Sequence, residues 1–271
     1  MCIRDSSSAE ENSKPAWLGI VPAKVDPISA TQLDLPEGTG AAIKLIVPES
    51  PAEKAGLKKH DVLFVADEVI CGFCRSGNFW ASETFNIEPD ILVCAKALSS
   101  SYLPISGTMI SDGIYQAIAD ASSKLGVFGH GYTYSGHPVA AAVALETLSI
   151  YEEEDILGHV RSVMGLYQER LHSFADHPLV GEVRGEGLIG ATELVRDKSS
   201  KEAFAPIDNV GGTISNICLK HGLILRPVGD SMCFCPPLII TESEINALFD
   251  ASEARELEEI KRKTDKTRGL Y

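Results

Sequence analysis

The chain has 271 residues, of which 44% are hydrophobic, so it is long and apolar enough to bury a core. Its 24 Lys and Arg against 38 Asp and Glu give a net charge of −14, the wrong sign for a protein that binds nucleic acid or an anionic membrane. The sequence contains no apolar run of membrane-spanning length, and its odd number of cysteines suggests no disulfide framework. We therefore expect a cytoplasmic protein whose partners are small molecules or proteins.

The first 63 residues differ from the rest in composition and in hydrophobic pattern. Residues 1–15 are polar and aperiodic, which is typical of a disordered leader. Residues 16–63 predict a small β-rich segment whose last element is a short helix with Ser50 at its N-cap and an end at Gly56. The segment's predicted strands and turn are, in order, strand 17–21, turn 35–40 and strand 41–47.

Four motifs of this segment resemble the first half of a PDZ domain of the kind found in bacterial Deg-type serine proteases. In that family a peptide adds a strand to the sheet, between the Leu-Gly-Ile strand and a later helix. No such helix is predicted directly after Leu63, so a hairpin and helix that merely pack together remain the alternative. The motifs are Trp17-Leu18-Gly19-Ile20, Leu35-Pro36-Glu37-Gly38-Thr39-Gly40, Ser50-Pro51-Ala52-Glu53-Lys54-Ala55-Gly56-Leu57 and His60-Asp61-Val62-Leu63.

From Phe64 onward the pattern is that of an α/β protein. The apolar runs 62–66 and 91–95 are typical of strands covered on both faces of a parallel sheet. Asp67 follows the first run and Lys96 follows the second. Because functional residues of open α/β sheets collect beyond the carboxyl ends of strands, we expect these two side chains to share one crevice.

The downstream sequence predicts further helices and strands. Helical spacing covers 138–151 and 156–174, and strands are predicted at 183–195 and 223–239. Thr241 and Glu244 form a capping-box pattern that opens the last helix.

An acid at one strand end and a lysine at another suit pyridoxal phosphate chemistry. That cofactor needs an amine to form a Schiff base and an acid to keep its pyridine nitrogen protonated. From spacing alone, a strand-end Asp67 that caps a loop and a surface Lys96 remain the more common explanation.

The motifs around this pair closely resemble those of the class III (ω-type) aminotransferases, in order and with compatible spacing, from about residue 63 to about 253. The resemblance implies the aspartate-aminotransferase-like fold, truncated at its amino-terminal side, with residues 64–271 forming the end of the large domain and the small domain. The motifs are Asp67-Glu68-Val69-Ile70-Cys71-Gly72-Phe73-Cys74-Arg75-Ser76-Gly77, Pro89-Asp90-Ile91, Lys96-Ala97-Leu98-Ser99-Ser100, Gly107, Gly129-His130-Gly131-Tyr132-Thr133-Tyr134-Ser135-Gly136-His137-Pro138, Val183-Arg184-Gly185-Glu186-Gly187-Leu188 and Leu225-Arg226-Pro227.

The resemblance implies a role for each of five residues. Lys96 is the Schiff-base lysine and the catalytic base, and Asp67 pairs with the pyridinium nitrogen. Val69 packs against the cofactor ring. Thr133 binds the cofactor phosphate across a subunit interface, which implies a homodimer, and Arg226 grips the substrate carboxylate. Three of these residues also have a purely structural explanation. Val69 can be an ordinary core residue, Thr133 an ordinary loop residue and Arg226 a solvated surface arginine.

Three other patterns suggest chemistry less strongly. Cys71 and Cys74 form a C-x-x-C, but no second pair accompanies them, so metal or redox use is the minor alternative. Gly185 to Gly190 fit G-x-G-x-x-G, yet a strand is predicted after them where a dinucleotide loop needs a helix. His137 precedes Pro138 at a helix start and is predicted to be a packing residue.

The resemblance also implies upstream parts, including a phosphate-cradling loop and a stacking aromatic residue, that this sequence replaces with the PDZ-like segment. We therefore expect a transaminase moving an amino group from an amine or ω-amino acid to a 2-oxo acid, incomplete or inactive as this chain. The alternatives are a PDZ-type peptide-binding module and a non-functional chimeric reading frame.

Overall fold

The computed structural model describes residues 20–24, 41–46, 62–126 and 133–253. The earliest described residues form a three-stranded antiparallel sheet in the order β1-β2-β3. The strand predicted at 41–47 is confirmed, and the first strand continues past its predicted end to Lys24. The predicted leader, the turn at 35–40 and the helix from Ser50 lie outside the described residues. The strands are β1 Ile20–Lys24, β2 Ala41–Ile46 and β3 Val62–Leu63.

A second sheet has the order β4-β5-β6 and mixed direction. β4 and β5 are parallel, whereas β5 and β6 are antiparallel. Leu92 and Cys94 are buried, but Val65 is 48% exposed, so the predicted cover on both faces is not met at β4. The strands are β4 Val65–Asp67, β5 Ile91–Cys94 and β6 Gly107–Ile110.

The predicted single strand over 62–66 is wrong, because Phe64 separates β3 from β4. The Phe64 amide donates to Asp90 Oδ2 at 2.8 Å, and the Phe64 carbonyl accepts from the amides of Asp90 and Ile91 at 2.9 and 3.1 Å. These bonds tie Phe64 to Asp90 and to Ile91, the first residue of β5, although Phe64 itself lies in neither strand. The apolar run therefore serves two sheets.

A third, antiparallel sheet has the order β7-β8-β10-β9. The strands predicted within 183–195 and 223–239 are confirmed, and each range contains a hairpin of two strands. Each hairpin turns at a glycine with positive φ, Gly187 at 55° and Gly229 at 59°, where a residue without Cβ avoids strain. The strands are β7 Val180–Glu186, β8 Ile189–Leu194, β9 Arg226–Val228 and β10 Ser231–Phe234.

Six α-helices accompany the strands in the described ranges, and none is long and apolar enough to cross a membrane. The predicted capping box is confirmed: the Thr241 amide donates to Glu244 Oε2 at 2.8 Å and the Glu244 amide donates to Thr241 Oγ1 at 3.3 Å. The helices are α1 Ala81–Thr84, α2 Asp112–Leu125, α3 Pro138–Glu153, α4 Ile156–His172, α5 Val210–Lys220 and α6 Glu242–Glu253.

Aromatic side chains form the core between α4, α6 and the third sheet. Tyr167 and Phe249 are fully buried, with ring centroids 5.4 Å apart, and Phe249 stacks on Phe234 at 5.5 Å. The Tyr167 hydroxyl donates to the Phe234 carbonyl at 2.9 Å, which satisfies its only polar group.

The described residues fall into two compact units. One comprises those within 1–67, 88–94 and 106–141 and holds the first two sheets. The other comprises those within 68–87, 95–105 and 142–271 and holds the third sheet with α4, α5 and α6.

Candidate active site

Lys96 begins a 3₁₀ turn, Lys96–Ser99, directly after β5. Its backbone is left-handed, with φ at 45°, and Ser100 and Ser101 follow with φ at 46° and 65°. Such a cluster of non-glycine residues in the left-handed region is uncommon and costs conformational energy. The Lys96 side chain is exposed, so the turn projects the amine outward while its backbone is constrained.

Hydrogen bonds hold this turn in place. The Ser101 amide donates to the Lys96 carbonyl at 3.2 Å, and buried Ser99 donates through Oγ to the Leu103 carbonyl at 2.7 Å. Tyr151, in the last turn of α3, donates its hydroxyl to the Ala97 carbonyl at 2.9 Å. Sequence reasoning missed Tyr151, because it lies among apolar residues of an alanine-rich helix and only its tertiary partner marks it.

Asp67 ends β4 and lies opposite Val93 in the parallel ladder. Its side chain is exposed. Lys96 follows Val93 three positions further along the chain. The predicted placement of both residues at the ends of parallel strands is therefore confirmed, while their roles stay predictions.

Glu68, the next residue, is buried and faces the amino end of α1. Its two carboxylate oxygens accept from the amides of Ala81 and Ser82 at 2.9 and 2.7 Å. An acidic side chain there satisfies amides that have no partner within the helix and complements their partial positive charge. Glu68 thus anchors the start of the turn that carries Val69, a role that the sequence motif did not indicate.

Val69 is half-buried at the start of the tight turn over residues 69–76. Phe73 fills the inside of that turn, 2% exposed, with its ring centroid 4.9 Å from Trp80. Arg75 donates to the carbonyls of Leu188 and Pro236, and the Leu188 amide donates to the Arg75 carbonyl at 2.8 Å. These contacts fix the turn against the β7–β8 hairpin.

Thr133 and Arg226 are both exposed. Thr133 starts the turn that precedes α3, and Arg226 begins β9 opposite Cys233. His137 is also exposed, which contradicts its predicted packing role, because it lies just before the first turn of α3, where its carbonyl accepts from the Ala141 amide. Val69, Lys96 and Arg226 belong to one compact unit, and Asp67 and Thr133 belong to the other.

The C-x-x-C and G-x-G-x-x-G motifs lie in different surroundings. Burial raises the pKa of the Cys74 thiol from 9.0 to about 11, so it stays protonated and unreactive at neutral pH. Neither Cys71 nor Cys74 forms a disulfide, and no group of three or more His, Cys, Asp or Glu side chains that could hold a metal ion occurs among the described residues. Gly185 and Gly190 lie in the strands of the β7–β8 hairpin, so no helix follows them as a dinucleotide site requires.

The family model described as "Aminotransferase class-III" matches residues 53–254. The chain belongs to the class III aminotransferases. The match covers the span predicted from about residue 63 to about 253 and begins upstream of it, inside the segment predicted to be PDZ-like.

This class III aminotransferase is similar in sequence to plant transaminases. It is 47% identical over 196 residues to gamma aminobutyrate transaminase 3, chloroplastic, of Solanum lycopersicum, covering 72% of this chain and 38% of the relative. It is 44% identical over 212 residues to vanillin aminotransferase of Capsicum annuum, covering 78% of this chain and 46% of the relative. This chain therefore spans less than half the length of these relatives.

Solved structures show the same fold. An omega transaminase from Pseudomonas jessenii in complex with PMP superposes with a TM-score of 0.69 at 46% identity, over 77% of this chain and 45% of that one. A structure titled "Transaminase with L-ala" gives a TM-score of 0.71 at 46% identity, over 82% of this chain and 53% of that one. The part of this class III aminotransferase that matches these transaminases therefore has the aspartate-aminotransferase-like fold predicted from its motifs, whereas a PDZ-like segment is not shown.

Proposed function

We propose that this chain carries the lysine-bearing part of a pyridoxal-phosphate-dependent transaminase, which moves an amino group from an amine or ω-amino acid to a 2-oxo acid. The observation that carries the proposal is the placement of Lys96 on a constrained left-handed turn directly after β5, whose parallel neighbour ends in Asp67. The chain spans less than half the length of the relatives above.

The residues present suit pyridoxal phosphate chemically. An exposed primary amine, an exposed carboxylate and an exposed hydroxyl are offered by Lys96, Asp67 and Thr133, and Val69 offers an apolar surface. Aminotransferases of this class use pyridoxal phosphate, and a structural relative was solved with PMP. When bound, the cofactor supplies a pyridine ring that accepts electrons from the reacting amine carbon.

In this proposal each side chain has one task. The Lys96 amine attaches the cofactor and later takes the proton from the substrate's amine-bearing carbon. The Asp67 carboxylate accepts a charge-assisted hydrogen bond from the ring nitrogen and keeps it protonated. Val69 packs on the ring face and excludes water there.

The remaining two residues contact the cofactor phosphate and the substrate. The Thr133 hydroxyl donates to the phosphate from the partner protomer of a homodimer. The Arg226 guanidinium binds the substrate carboxylate, for which its planar fork is better suited than an ammonium group. Relatives named gamma aminobutyrate transaminase support an ω-amino acid as donor.

The test is to incubate the purified chain with pyridoxal phosphate, reduce with borohydride and map the modified lysines by peptide mass spectrometry. We expect selective modification of Lys96 over Lys220, an exposed lysine of the same unit. Asp67→Asn should reduce this selectivity, whereas the control Asp176→Asn should not. Modification scattered over all lysines would contradict the proposal.

A peptide-binding PDZ-type module is the second candidate. The three-stranded antiparallel sheet of β1, β2 and β3 supports it, since such a sheet has an edge to which a peptide strand can add. Fluorescence anisotropy with a hydrophobic C-terminal peptide tests it. Saturable binding that survives Lys96→Ala would favour this module, and no binding would leave a non-functional fusion for the amino-terminal segment.

A further inference from the structure

The turn that carries Lys96 needs support from outside itself. Its first residue, Lys96, and the two residues that follow it, Ser100 and Ser101, have left-handed backbones. A left-handed non-glycine residue persists only where its surroundings hold it, because the right-handed and extended regions are lower in energy. Hydrogen bonds inside so short a turn are too few to hold it alone.

Tyr151 supplies support from another element. Its side chain is 9% exposed, its hydroxyl lies 2.9 Å from the Ala97 carbonyl and 3.5 Å from Ser100 Oγ, and its ring centroid is 6.2 Å from that of Phe73. All four residues belong to the same compact unit. Burial raises the pKa of this phenol above its ordinary value of 10.0, so the hydroxyl is a donor throughout the neutral range.

We propose that Tyr151 is a positioning residue for Lys96: its hydroxyl bond to the Ala97 carbonyl holds the 3₁₀ turn in the left-handed geometry that presents the lysine amine. The inference rests on the proposed function, in which Lys96 attaches the cofactor. Tyr151 itself acts through the backbone next to Lys96, so its loss should loosen the turn without removing any reacting group.

The fold contains a matched control. Tyr167 is also buried in the same unit, and its hydroxyl also donates to a backbone carbonyl at 2.9 Å, that of Phe234. Tyr167→Phe therefore removes the same kind of bond at a place away from Lys96. Any general loss of stability should appear in both variants.

The experiment compares the full chain with Tyr151→Phe and Tyr167→Phe by hydrogen exchange and by lysine labelling. In Tyr151→Phe, amides of the peptide spanning 95–103 should exchange about fivefold faster, as expected for the loss of one buried hydrogen bond. The ratio of Lys96 to Lys220 modification by pyridoxal phosphate and borohydride should fall severalfold. Tyr167→Phe should leave both readings at the wild-type value.

Other results would overturn the inference. Unchanged exchange over 95–103 in Tyr151→Phe, or equal acceleration in both variants, would mean that the tyrosine is only a packing residue. If the wild-type chain shows no preference for Lys96, the proposed function fails. The exchange comparison then still decides whether Tyr151 holds the turn.

Discussion

At the scale of single residues, Gly187 shows how closely the β7–β8 hairpin meets the turn of residues 69–76. Its φ is 55°, and a Cβ placed there would overlap the Arg75 carbonyl and the Ser76 backbone. Gly229 has a similar φ of 59° but nothing within 4 Å of such a Cβ. Substitution of Gly229 therefore tests backbone strain alone, whereas substitution of Gly187 tests strain together with steric overlap.

We predict that Gly229→Ala lowers the free energy of unfolding by about 1–2 kcal/mol through strain alone. Gly187→Ala should cost about 1–3 kcal/mol more, because rigid backbone atoms must move. Urea denaturation followed by circular dichroism measures both. Equal losses in the two variants would contradict the close approach of Gly187 to Arg75.

The Cys74 thiol should make stability depend on alkaline pH. Its pKa is raised from 9.0 to about 11 in the fold by burial, so folding favours the protonated thiol. The thiol's contribution is complete below pH 9 and is lost as pH rises toward about 11. Unfolding free energies measured across this range should fall more steeply for the wild type than for Cys74→Ala.

The control for this prediction is Cys235→Ala, because Cys235 is exposed. It should leave the slope of stability against pH unchanged. Alkylation at pH about 8 should likewise modify Cys235, which is exposed, and spare Cys74, which is buried and whose raised pKa leaves little reactive thiolate. Rapid alkylation of Cys74 in the folded chain would refute the burial argument.

Of the adjacent acids Asp67 and Glu68, the sequence predicts the surroundings of only the first. The position of Asp67 at a strand end follows from an apolar run that stops there. The next residue, Glu68, looks equally exposed in sequence but is 2% exposed, because it caps α1 through Ala81 and Ser82. The partner amides lie more than ten positions away, so no local pattern indicates this contact.

At the scale of elements, the start of α6 gives a prediction on the acid side. Hydrogen bonds from the Thr241 amide and hydroxyl lower the pKa of the Glu244 carboxyl below its ordinary value. A depressed folded pKa stabilises the fold above the unfolded pKa of about 4.3, and that stabilisation is lost as pH falls through the folded value.

We therefore expect Glu244→Gln to be less stable than the wild type at neutral pH and to converge with it at acidic pH. Thermal denaturation across this pH range measures the difference. Glu242→Gln, in the same first helical turn, is the matched control and should show a smaller dependence. A constant difference at all pH values would argue against the capping carboxylate.

Elements also differ in how well the sequence predicts them. The long helix α3 and the capping box of α6 are confirmed because periodicity and caps are local signals. The ranges of the two hairpins were predicted to form strands, but the positions of their turns were not predicted. A single glycine reverses the chain at Gly187 and Gly229, and each lies inside an otherwise strand-like run, so the turn signal is weak.

At the scale of the whole molecule, the core between α4, α6 and the third sheet should dominate stability. Leu171, at the end of α4, is fully buried against Gly185 and Gly190. Leu171→Ala should cost about 2–5 kcal/mol, because it leaves a cavity. Leu219→Ala, at a 57% exposed site in α5, should cost less than about 0.5 kcal/mol by the same denaturation measurement.

The architecture was predictable downstream of residue 63 because motif spacing carries family information there. The division of the 62–66 run between two sheets was not predictable, since it depends on hydrogen bonds between Phe64 and Asp90. The positioning contacts of Tyr151 and Glu68 were missed for the same reason. Placement of Lys96 and Asp67 follows from strand ends, whereas what holds the Lys96 turn comes from distant parts of the chain.

Arg75 also sets an order of events during synthesis. Its side chain bonds to carbonyls 113 and 161 positions further along the chain, at Leu188 and Pro236. The turn that carries Val69 is therefore translated long before its partners leave the ribosome. Contacts of such sequence separation form late and slow folding. Local contacts such as that of Phe73 with Trp80 can form early, but the bonds of Arg75 can be completed only after Pro236 has emerged, so this part of the candidate site is finished late in synthesis.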